Sequence, residues 1–287
     1  MNCSSRGVAV VTGAASGMGA AVAHRLASDG WDLLLCDFNE EGLAERAARL
    51  APRRPWATLA GDISASEFPR RLVDTLAGRP VGALVHCAAL SSTMAEPARI
   101  LEVGLTATIR LIEVVRERIE AGGAAVLIGT MVGPGPLDEA IAAATTADAV
   151  ERLKVHATNG GAAYLIAKRG VQWLVRREAA AFGRRGARIV SVSPGIIDTP
   201  MARAEQRAHP MMAQMITATP VGRMGRPEEI AAVAAFLCSP DAGYITGTDI
   251  LVDGGFMGQR LADGQPMFAP SPVTANAAGT RDVNEPR

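Results

Sequence analysis

The sequence predicts an α/β fold in which helices cover both faces of one doubly wound parallel sheet. Apolar segments of strand length alternate with amphipathic helical segments along most of the chain. The apolar segments lack the polar alternation of half-exposed strands, and such unbroken strands are typical of parallel sheets buried on both faces. A chain of 287 residues, 48% of them hydrophobic, can bury one large core of this kind.

The first half of the chain supplies four predicted strands, each followed by a predicted helix. The first helix shows the pattern most clearly, because apolar residues recur at helical spacing and Gly30 closes the segment. The predicted strands cover residues 7–13, 32–38, 55–63 and 82–89, and the predicted helices cover residues 18–30, 40–51, 68–78 and 97–120.

The second half repeats this alternation with two interruptions. Strands are predicted at residues 124–130, 187–194 and 249–255, and helices at residues 161–183 and 227–238. Residues 133–160 are long for a βα connection, so they are expected to form an insert of one or two short helices before the next long helix. Residues 259–287 are rich in Pro, Ala, Gly and Asn, which predicts a weakly ordered tail after a domain of residues 1–258. Docking of this tail on a neighbouring subunit is the alternative.

Composition and charge exclude several functional classes. The 29 basic and 29 acidic residues balance, so no basic field attracts nucleic acid or a membrane surface. The longest apolar runs are shorter than a membrane span, and the first residues lack the apolar segment of a signal peptide. The cysteines Cys3, Cys36, Cys87 and Cys238 are scattered without a Cys-x-x-Cys pair. They are expected to be reduced thiols of a cytoplasmic protein, and no metal site is predicted.

A glycine-rich loop follows the first predicted strand. Gly13, Gly17 and Gly19 have the spacing G-x-x-x-G-x-G, with Ser16 and Met18 between them. Residues without a Cβ let the backbone approach a pyrophosphate, and the N–H groups that begin the next helix attract its negative charge. The loop predicts a dinucleotide site, although a glycine-rich turn that only packs helix on strand would have the same pattern.

The second predicted strand ends in Asp37, which indicates the type of dinucleotide. A carboxylate at this point reaches the hydroxyls of the adenosine ribose and repels a 2′-phosphate. Phe38 follows, no Lys or Arg stands at positions 38–39, and Ser16 rather than a basic residue precedes Gly17. NAD is therefore predicted over NADP. The alternative is that Asp37 caps the next helix.

Two further strand ends supply weaker cofactor candidates. Asp62 and Ile63 end the third predicted strand, where the adenine ring would lie. Cys87 and Ala88 lie at the end of the fourth predicted strand, where small side chains let the dinucleotide pass.

Tyr164 and Lys168 form an unusual pair. The chain has two tyrosines, and only two of its 29 Lys and Arg residues are lysines. One of each stands four positions apart, which places both side chains on one face of a helix, one turn apart. The choice of lysine favours a role that needs a compact ammonium on a flexible stem.

Five segments together resemble the short-chain dehydrogenase/reductase family. They are TGAASGMG (12–19), YLIAK (164–168), SPGIIDTP (193–200), GRPEEIAAVAAFL (225–237) and GYITGTDILVDGG (243–255). The resemblance runs from Val8 to Gly255 and implies a Rossmann-type fold. It also implies an NAD(H)-dependent oxidoreductase that interconverts a secondary alcohol and a ketone.

The resemblance assigns roles to individual residues. It implies that Tyr164 is the general acid/base, that Lys168 lowers the Tyr164 pKa and binds the nicotinamide ribose, and that Thr130 replaces the family's serine and holds the carbonyl oxygen. Such a shift is physically reasonable, because a nearby cation favours the phenolate of a tyrosine whose reference pKa is near ~10. It further places Ile197 and Thr199 at the nicotinamide carboxamide and Pro194 among the cofactor contacts.

The sequence departs from the family at Gly104, where the resemblance implies an asparagine that holds a water for proton relay. This departure leaves open a second hypothesis, a catalytically weak NAD-binding regulatory protein. His156 and Asn159 could supply a substitute polar group, or both could be surface residues.

The segment between Thr130 and Tyr164 is longer than is usual in the family. It resembles a bacterial branch that includes 3α-hydroxysteroid dehydrogenase/carbonyl reductase, where a similar extension alters the four-helix subunit interface. The resemblance therefore implies a homo-oligomer, either a dimer or a tetramer.

Residues 201–219 are expected to form a lid over the substrate by the same resemblance. Four methionines lie in this segment, and methionine is a soft, adaptable lining for an apolar ligand. A small apolar substrate, cyclic or steroid-like, is therefore predicted, although methionines that merely fill helix packing would look the same. The four are Met201, Met211, Met212 and Met215.

Overall fold

The structure is a computed structural model that describes residues 7–50, 55–144, 146–208 and 211–264. Within these residues, seven parallel strands form one sheet in the order β3-β2-β1-β4-β5-β6-β7. The chain therefore winds outward in both directions from the β1–β4 junction, which confirms the predicted Rossmann-type fold. The strands are β1 (Val8–Thr12), β2 (Leu33–Asp37), β3 (Ala57–Ala60), β4 (Val81–His86), β5 (Ile119–Ile128), β6 (Arg188–Pro194) and β7 (Asp249–Val252).

Helices cover both faces of this sheet. They are α1 (Gly17–Ser28), α2 (Glu40–Arg49), α3 (Phe68–Leu76), α4 (Pro97–Leu101), α5 (Ala107–Arg116), α6 (Asp138–Ala143), α7 (Ala147–Val150), α8 (Gly160–Arg184), α9 (Pro200–Ala208), α10 (Met211–Ala218), α11 (Pro227–Cys238) and α12 (Phe256–Ala262). Apolar residues of α3, α5 and α8 share one core, and those of α1, α2 and α11 share a second. These two cores are what the alternation of strands and helices predicts.

The centre of the sheet is buried as predicted, but its edges are not. Every residue of β1, β4 and β6 is buried. The edge strands β3 and β7 are partly exposed, because each pairs with a neighbour on one side only. β5 begins at Ile119 rather than at residue 124, and the sequence pattern missed this start because Gly122 and Gly123 interrupt the apolar run.

The helix predicted over residues 97–120 is interrupted. α4 runs into a single π-helical segment, Glu102–Thr106, before the chain continues as α5. Gly104 lies within this π segment, and Leu105 packs so closely on α8 that a Cβ at Gly170 would lie 2.6 Å from its Cδ2 atom. Such π segments inside α-helices are frequent at functional sites.

The insert of residues 133–160 lies against the long helix α8. It contains α6, α7 and a 3₁₀ segment, Glu151–His156, close to the short helices expected there. Arg169 of α8 forms an ion pair with Asp138 at the start of α6, with Arg169 Nε 2.8 Å from Asp138 Oδ1. This ion pair anchors the insert to the helix that carries Tyr164 and Lys168.

The prediction of a weakly ordered tail from residue 259 is wrong for residues 259–262, which belong to α12. The carboxylate of Asp253 fixes the start of α12, since it accepts hydrogen bonds from the N–H groups of Gly255 (3.0 Å) and Met257 (2.7 Å). Phe256 and Met257 are buried and hold the helix on the domain. Residues 265–287 of the predicted tail lie outside the described residues.

Candidate active site

The predicted site residues gather at the carboxyl edge of the sheet. Gly13 follows β1, Cys87 follows β4, Thr130 follows β5 and Pro194 ends β6. In an open parallel sheet, ligands bind beyond this edge at the point where the strand order reverses. Here that point lies between β1 and β4.

The glycine loop has the backbone that a pyrophosphate requires. Gly13 and Gly17 take left-handed φ angles of 67° and 53°. A Cβ on Gly19 would lie 2.1 Å from the carbonyl oxygen of Gly13, so only glycine fits there. Ser16 precedes α1 in an extended conformation, and its side chain makes no capping hydrogen bond. Met18, in the first turn of α1, packs on the core. The first N–H groups of α1 therefore suit a phosphate.

Asp37 is tied to the glycine loop. Its Oδ2 accepts a hydrogen bond from the N–H of Ala15 (2.9 Å), and its Oδ1 accepts one from the N–H of Asn39 (2.9 Å). Asn39 is the residue that caps α2, through a hydrogen bond from the N–H of Gly42 (3.0 Å). The alternative that Asp37 caps this helix is therefore wrong. Phe38 stands beside Asp37 with 73% of its surface exposed.

Asp62 is held by a serine and by an arginine that the sequence had not indicated. Its carboxylate accepts hydrogen bonds from the N–H (2.9 Å) and the hydroxyl (2.8 Å) of Ser64, and it forms an ion pair with Arg99 of α4. Ile63, between Asp62 and Ser64 in the sequence, is buried. An adenine ring at this edge would meet Arg99 as well as the predicted aspartate.

The turn at Gly13 packs on the chain that leaves β4. A Cβ at Gly13 would lie 2.9 Å from the backbone nitrogen of Ala88 and 3.0 Å from the carbonyl carbon of Cys87. Burial raises the pKa of the Cys87 thiol to about 12, so this side chain is neutral. These small residues leave the end of β4 suitable for a passing dinucleotide.

The structure brings Thr130, Tyr164 and Lys168 together. Lys168 Nζ lies 5.9 Å from the centre of the Tyr164 ring, and Thr130 is near enough to lower the pKa of the Tyr164 phenol. Lys168 is only 6% exposed and donates a hydrogen bond of 2.7 Å to the carbonyl oxygen of Ile128, at the end of β5. The lysine thus connects the predicted active-site helix to the strand that leads to Thr130.

Burial dominates the electrostatics of this group. It raises the pKa of the Tyr164 phenol, the hydrogen bond with Thr130 lowers that pKa, and the negative charge of Glu205 raises it. The pKa of the Tyr164 phenol is therefore raised by burial, whereas the resemblance implies that Lys168 lowers it. Burial also lowers the pKa of Lys168 to about 8, because the ammonium loses its hydration.

Gly104 lies close to the helix that carries the pair. A Cβ at this position would lie 2.9 Å from the Cβ of Ala167, the residue before Lys168. The carbonyl oxygen of Gly104 accepts a hydrogen bond of 3.0 Å from Thr108 Oγ1. The π segment therefore sits against α8 at the position where the family has an asparagine.

A buried histidine links this π segment to the glycine loop. His86 Nε2 lies 2.9 Å from Thr108 Oγ1, and His86 Nδ1 lies 2.8 Å from Thr12 Oγ1. Thr108 gives its proton to Gly104, so it accepts from Nε2–H and leaves Nδ1 to accept from Thr12. Burial, followed by the charge of Lys168, lowers the pKa of His86 to about 3, so the ring is neutral.

Gln172 is a site residue that the sequence analysis missed. It lies on α8 and is buried. Its amide nitrogen is 3.3 Å from the carbonyl oxygen of Thr130 and 3.4 Å from that of Val132. The same nitrogen donates to Ser193 Oγ (2.9 Å), and the amide oxygen accepts from Arg169 Nη1 (2.7 Å). Gln172 thus fixes the loop that carries Thr130, and its four-residue spacing from the lysine of the pair was the available sequence signal.

The two substitutes considered for the missing asparagine have other positions. Asn159 caps α8, since its side chain accepts a hydrogen bond from the N–H of Ala162 (2.9 Å). His156 is exposed at the end of the 3₁₀ segment. The reading of both as surface residues is therefore the one that the structure favours.

Thr199 joins the glycine loop to the lid. Its Oγ1 accepts a hydrogen bond from the N–H of Ala202 (3.1 Å) in α9, and its Cγ2 would lie 3.2 Å from a Cβ at Gly17. Ile197 is buried nearby, and the carbonyl oxygen of Pro194 accepts a hydrogen bond from the N–H of Met131 (3.1 Å). These contacts bring the predicted carboxamide residues next to the loop that carries Thr130.

The lid of residues 201–219 contains α9 and α10, neither of which buries a residue. Met211 is 68% exposed, and the other three lid methionines are half-buried. None of the four is fully buried, and the partial burial of three of them fits both a lining role and helix packing.

The remaining expectations concern metals, membranes and thiols. Among the described residues, no group of three or more His, Cys, Asp or Glu side chains could hold a metal ion. No helix in the same part of the chain has the length and apolarity to cross a bilayer. Cys36, Cys87 and Cys238 are free thiols. Cys3 lies outside the described residues.

Known proteins resemble the chain along most of its length. Residues 13–257 match the family model described as enoyl-(acyl carrier protein) reductase. The chain is 32% identical over 269 residues to (3R)-3-hydroxyacyl-CoA dehydrogenase of Mus musculus, a match that covers 86% of this chain and 95% of the relative.

Two solved structures extend the comparison. The 3-alpha-hydroxysteroid dehydrogenase of Pseudomonas sp. B-0831, complexed with NADH, has a TM-score of 0.73 and 28% identity, covering 90% of this chain and 99% of that one. A short-chain dehydrogenase/reductase of the glucose/ribitol dehydrogenase type from Brucella melitensis has a TM-score of 0.71 and 27% identity, covering 88% and 96%.

Proposed function

The chain belongs to the short-chain dehydrogenase/reductase family, and from this premise we propose that it is an NAD(H)-dependent oxidoreductase that interconverts a secondary alcohol and a ketone. The observation that carries the proposal is the group of Thr130, Tyr164 and Lys168 at the carboxyl edge of the sheet, the edge that also carries the glycine loop. A phenol near a hydroxyl and a buried ammonium can exchange a proton with a substrate oxygen.

Each of the three side chains has a distinct task in this proposal. Tyr164 moves the proton at its Oη, and its raised pKa keeps the phenol protonated, which suits donation to the oxygen of a ketone under reduction. Thr130 Oγ1 holds the same oxygen by a hydrogen bond. Lys168 holds the ribose next to the nicotinamide, from a position set by its contact with Ile128. The bound dinucleotide supplies or accepts the hydride.

The residues that would hold the dinucleotide line the carboxyl edge from β1 to β6. The glycine loop suits the pyrophosphate, and Asp37 suits the ribose hydroxyls. Neither Phe38 nor Asn39 carries a charge that could offset a 2′-phosphate beside Asp37. Among the compared structures, one is complexed with NADH and another with NADPH, so the proposed preference for NAD rests on Asp37 and its neighbours.

We propose a small apolar substrate, cyclic or steroid-like. The names of the compared proteins refer to a hydroxyacyl-CoA, a hydroxysteroid and glucose or ribitol, so they do not select one substrate. The half-buried methionines of the lid support an apolar one, because flexible thioether side chains adapt to varied apolar surfaces.

We further propose that the protein is a homo-oligomer, a dimer or a tetramer, in the cytoplasm. Leu251 is exposed on the edge strand β7, and Phe236 of α11 and Tyr244, which precede it in the chain, are exposed as well. An apolar edge of this kind is suited to a second subunit. The free thiols of Cys36, Cys87 and Cys238 support a reducing compartment such as the cytoplasm.

A kinetic experiment tests the proposed mechanism. With a panel of hydrophobic ketones and saturating NADH, Tyr164→Phe should lower kcat by roughly 10²–10⁴-fold, the usual contribution of a general acid. Its affinity for NADH should stay within about threefold, because the ring still packs beside Lys168. Tyr244→Phe is the matched control, since Tyr244 is the other tyrosine of the chain and is fully exposed.

Other outcomes of the same assay would reject parts of the proposal. Wild-type turnover by Tyr164→Phe would reject the role of the phenol. Tighter binding of NADPH than of NADH would reject the preference assigned to Asp37. Tight NADH binding without turnover of any alcohol or ketone would favour the regulatory alternative, which no observation on the described residues supports.

A further inference from the structure

Glu205 connects the lid to the loop that follows β4. Its Oε2 accepts a hydrogen bond from Ser92 Oγ (2.8 Å). Its Oε1 accepts hydrogen bonds from the N–H (3.1 Å) and the hydroxyl (2.5 Å) of Thr93. The Ser91 hydroxyl lies near the same carboxylate and lowers its pKa. One side chain of α9 thus meets three consecutive residues of another segment, more than a hundred positions away in the chain.

These hydrogen bonds are the main observed attachment of α9 to that loop. α9 buries no residue, so apolar packing does little to hold it down. Glu205 is also the only acidic residue between residues 201 and 219. Hydrogen bonds to a charged acceptor are stronger than those between neutral groups, and several of them converge here.

The same contacts bring the carboxylate to a segment that packs on the start of α8. The carbonyl oxygen of Ser92 lies so close to Gly160, the first residue of α8, that a Cβ there would be 1.9 Å from it. Tyr164 follows one turn later on α8. The charge of Glu205 accordingly acts on Tyr164, where it raises the pKa of the phenol.

We propose that Glu205 latches the lid onto residues 91–93 and makes the site selective for substrates that are uncharged around the reacting carbon. This inference rests on the proposed alcohol–ketone oxidoreduction. A carboxylate or phosphate group next to the reacting carbon would approach Glu205 as well as Tyr164. Two like charges a few ångströms apart near a protein surface disfavour binding by about tenfold or more.

The selectivity is tested with two ketones that differ in charge, ethyl acetoacetate and acetoacetate, at saturating NADH. Wild type should have a higher kcat/KM for the ester. Glu205→Gln removes the charge but keeps an oxygen that accepts hydrogen bonds. The ratio of kcat/KM for the ester to kcat/KM for the acid should therefore fall by about tenfold. The gain should appear mainly in the KM for acetoacetate. Ala204→Arg is the matched control, because it also raises the charge of the lid by one unit, but at an exposed position next to Glu205. It should leave this kcat/KM ratio unchanged.

The latch is tested separately by amide hydrogen exchange over residues 200–208. Glu205→Ala should speed exchange of α9 by roughly tenfold, since local opening no longer breaks these hydrogen bonds. Unchanged exchange would overturn the latch. Turnover of both ketones with an unaltered ratio in Glu205→Gln would overturn the selectivity and leave the proposed function standing. A wild type that reduces no ketone would overturn the proposed function and the selectivity together, and the exchange result would still judge the latch.

Discussion

The two halves of the sheet hold their functional residues in different ways. In the half that would bind the dinucleotide, several shaping contacts join residues close in sequence, as in Gly13 with Gly19 and Asp37 with Asn39, beside longer ones such as Gly13 with Ala88. In the half that shapes the substrate site, the polar contacts join distant segments. Gln172 lies 77 positions from its partner Asp249, and Ser92 lies 113 positions from Glu205.

This difference shows two ways of building a site. The dinucleotide half depends on backbone shape, which a missing Cβ or a left-handed φ angle specifies locally. The substrate half depends on polar side chains that reach across the fold, and such networks lose stability when one member is left without a partner. Damage to the first half should therefore fall on cofactor binding, and damage to the second on kcat.

The largest effect is expected in the dinucleotide half, for Gly19→Ala. The new Cβ would lie 2.1 Å from the carbonyl oxygen of Gly13, so the loop must shift. NADH affinity, measured by fluorescence titration, should fall by roughly a hundredfold or more, because the backbone then leaves the position that suits a pyrophosphate. Gly183→Ala is the control, since nothing lies within 4 Å of a Cβ at that position of α8. Equal affinities for both variants would show that the loop is not shaped by Gly19.

A smaller effect, on kcat rather than on NADH affinity, is expected for Gln172→Leu in the substrate half. The change removes the hydrogen bonds of Gln172 with Arg169, Ser193 and the Thr130 carbonyl, so the free energy of unfolding in urea should fall by about 2 kcal/mol. We expect kcat to fall about tenfold while NADH affinity is nearly unchanged. Gln259→Leu, at an exposed position of α12, controls for the substitution itself. A loss confined to NADH affinity would erase the distinction between the halves.

The smallest effect is expected for Gly104→Asn, which restores the family's residue. The added Cβ would lie 2.9 Å from that of Ala167, so the free energy of unfolding should fall by about 1 kcal/mol with no gain in kcat. Adding Ala167→Gly should recover most of this loss, which a double-mutant cycle would measure. A rise in kcat at unchanged stability would instead show that the asparagine fits and that the present relay is incomplete.

The contrast between local spacings and long-range side-chain contacts also explains which features could be predicted from the sequence. Strand and helix order, the glycine loop and the Tyr164–Lys168 pair depend on short spacings, and the structure has them where they were expected. Arg99, Gln172 and Glu205 were missed, because nothing in a linear pattern tells which distant segment a polar side chain will reach. The start of α12 was missed for a local reason, since Asp253 fixes it through backbone N–H groups. The direction of the Tyr164 pKa was wrong, because burial of the phenol cannot be seen in spacing.

The hydrogen-bonded line from Thr12 through His86 to Thr108 has an evolutionary consequence. Thr12 donates to His86 Nδ1, His86 donates from Nε2 to Thr108, and Thr108 donates to the carbonyl oxygen of Gly104. Each hydrogen bond therefore depends on the identity of the next side chain, and the three are complementary only as a set. Replacing Thr108 alone with valine would leave the Nε2 proton of a buried imidazole without an acceptor, at a cost of about 1–3 kcal/mol. Positions 12, 86 and 108 should therefore be inherited as one unit, and descendants of this chain should change them jointly or leave all three alone.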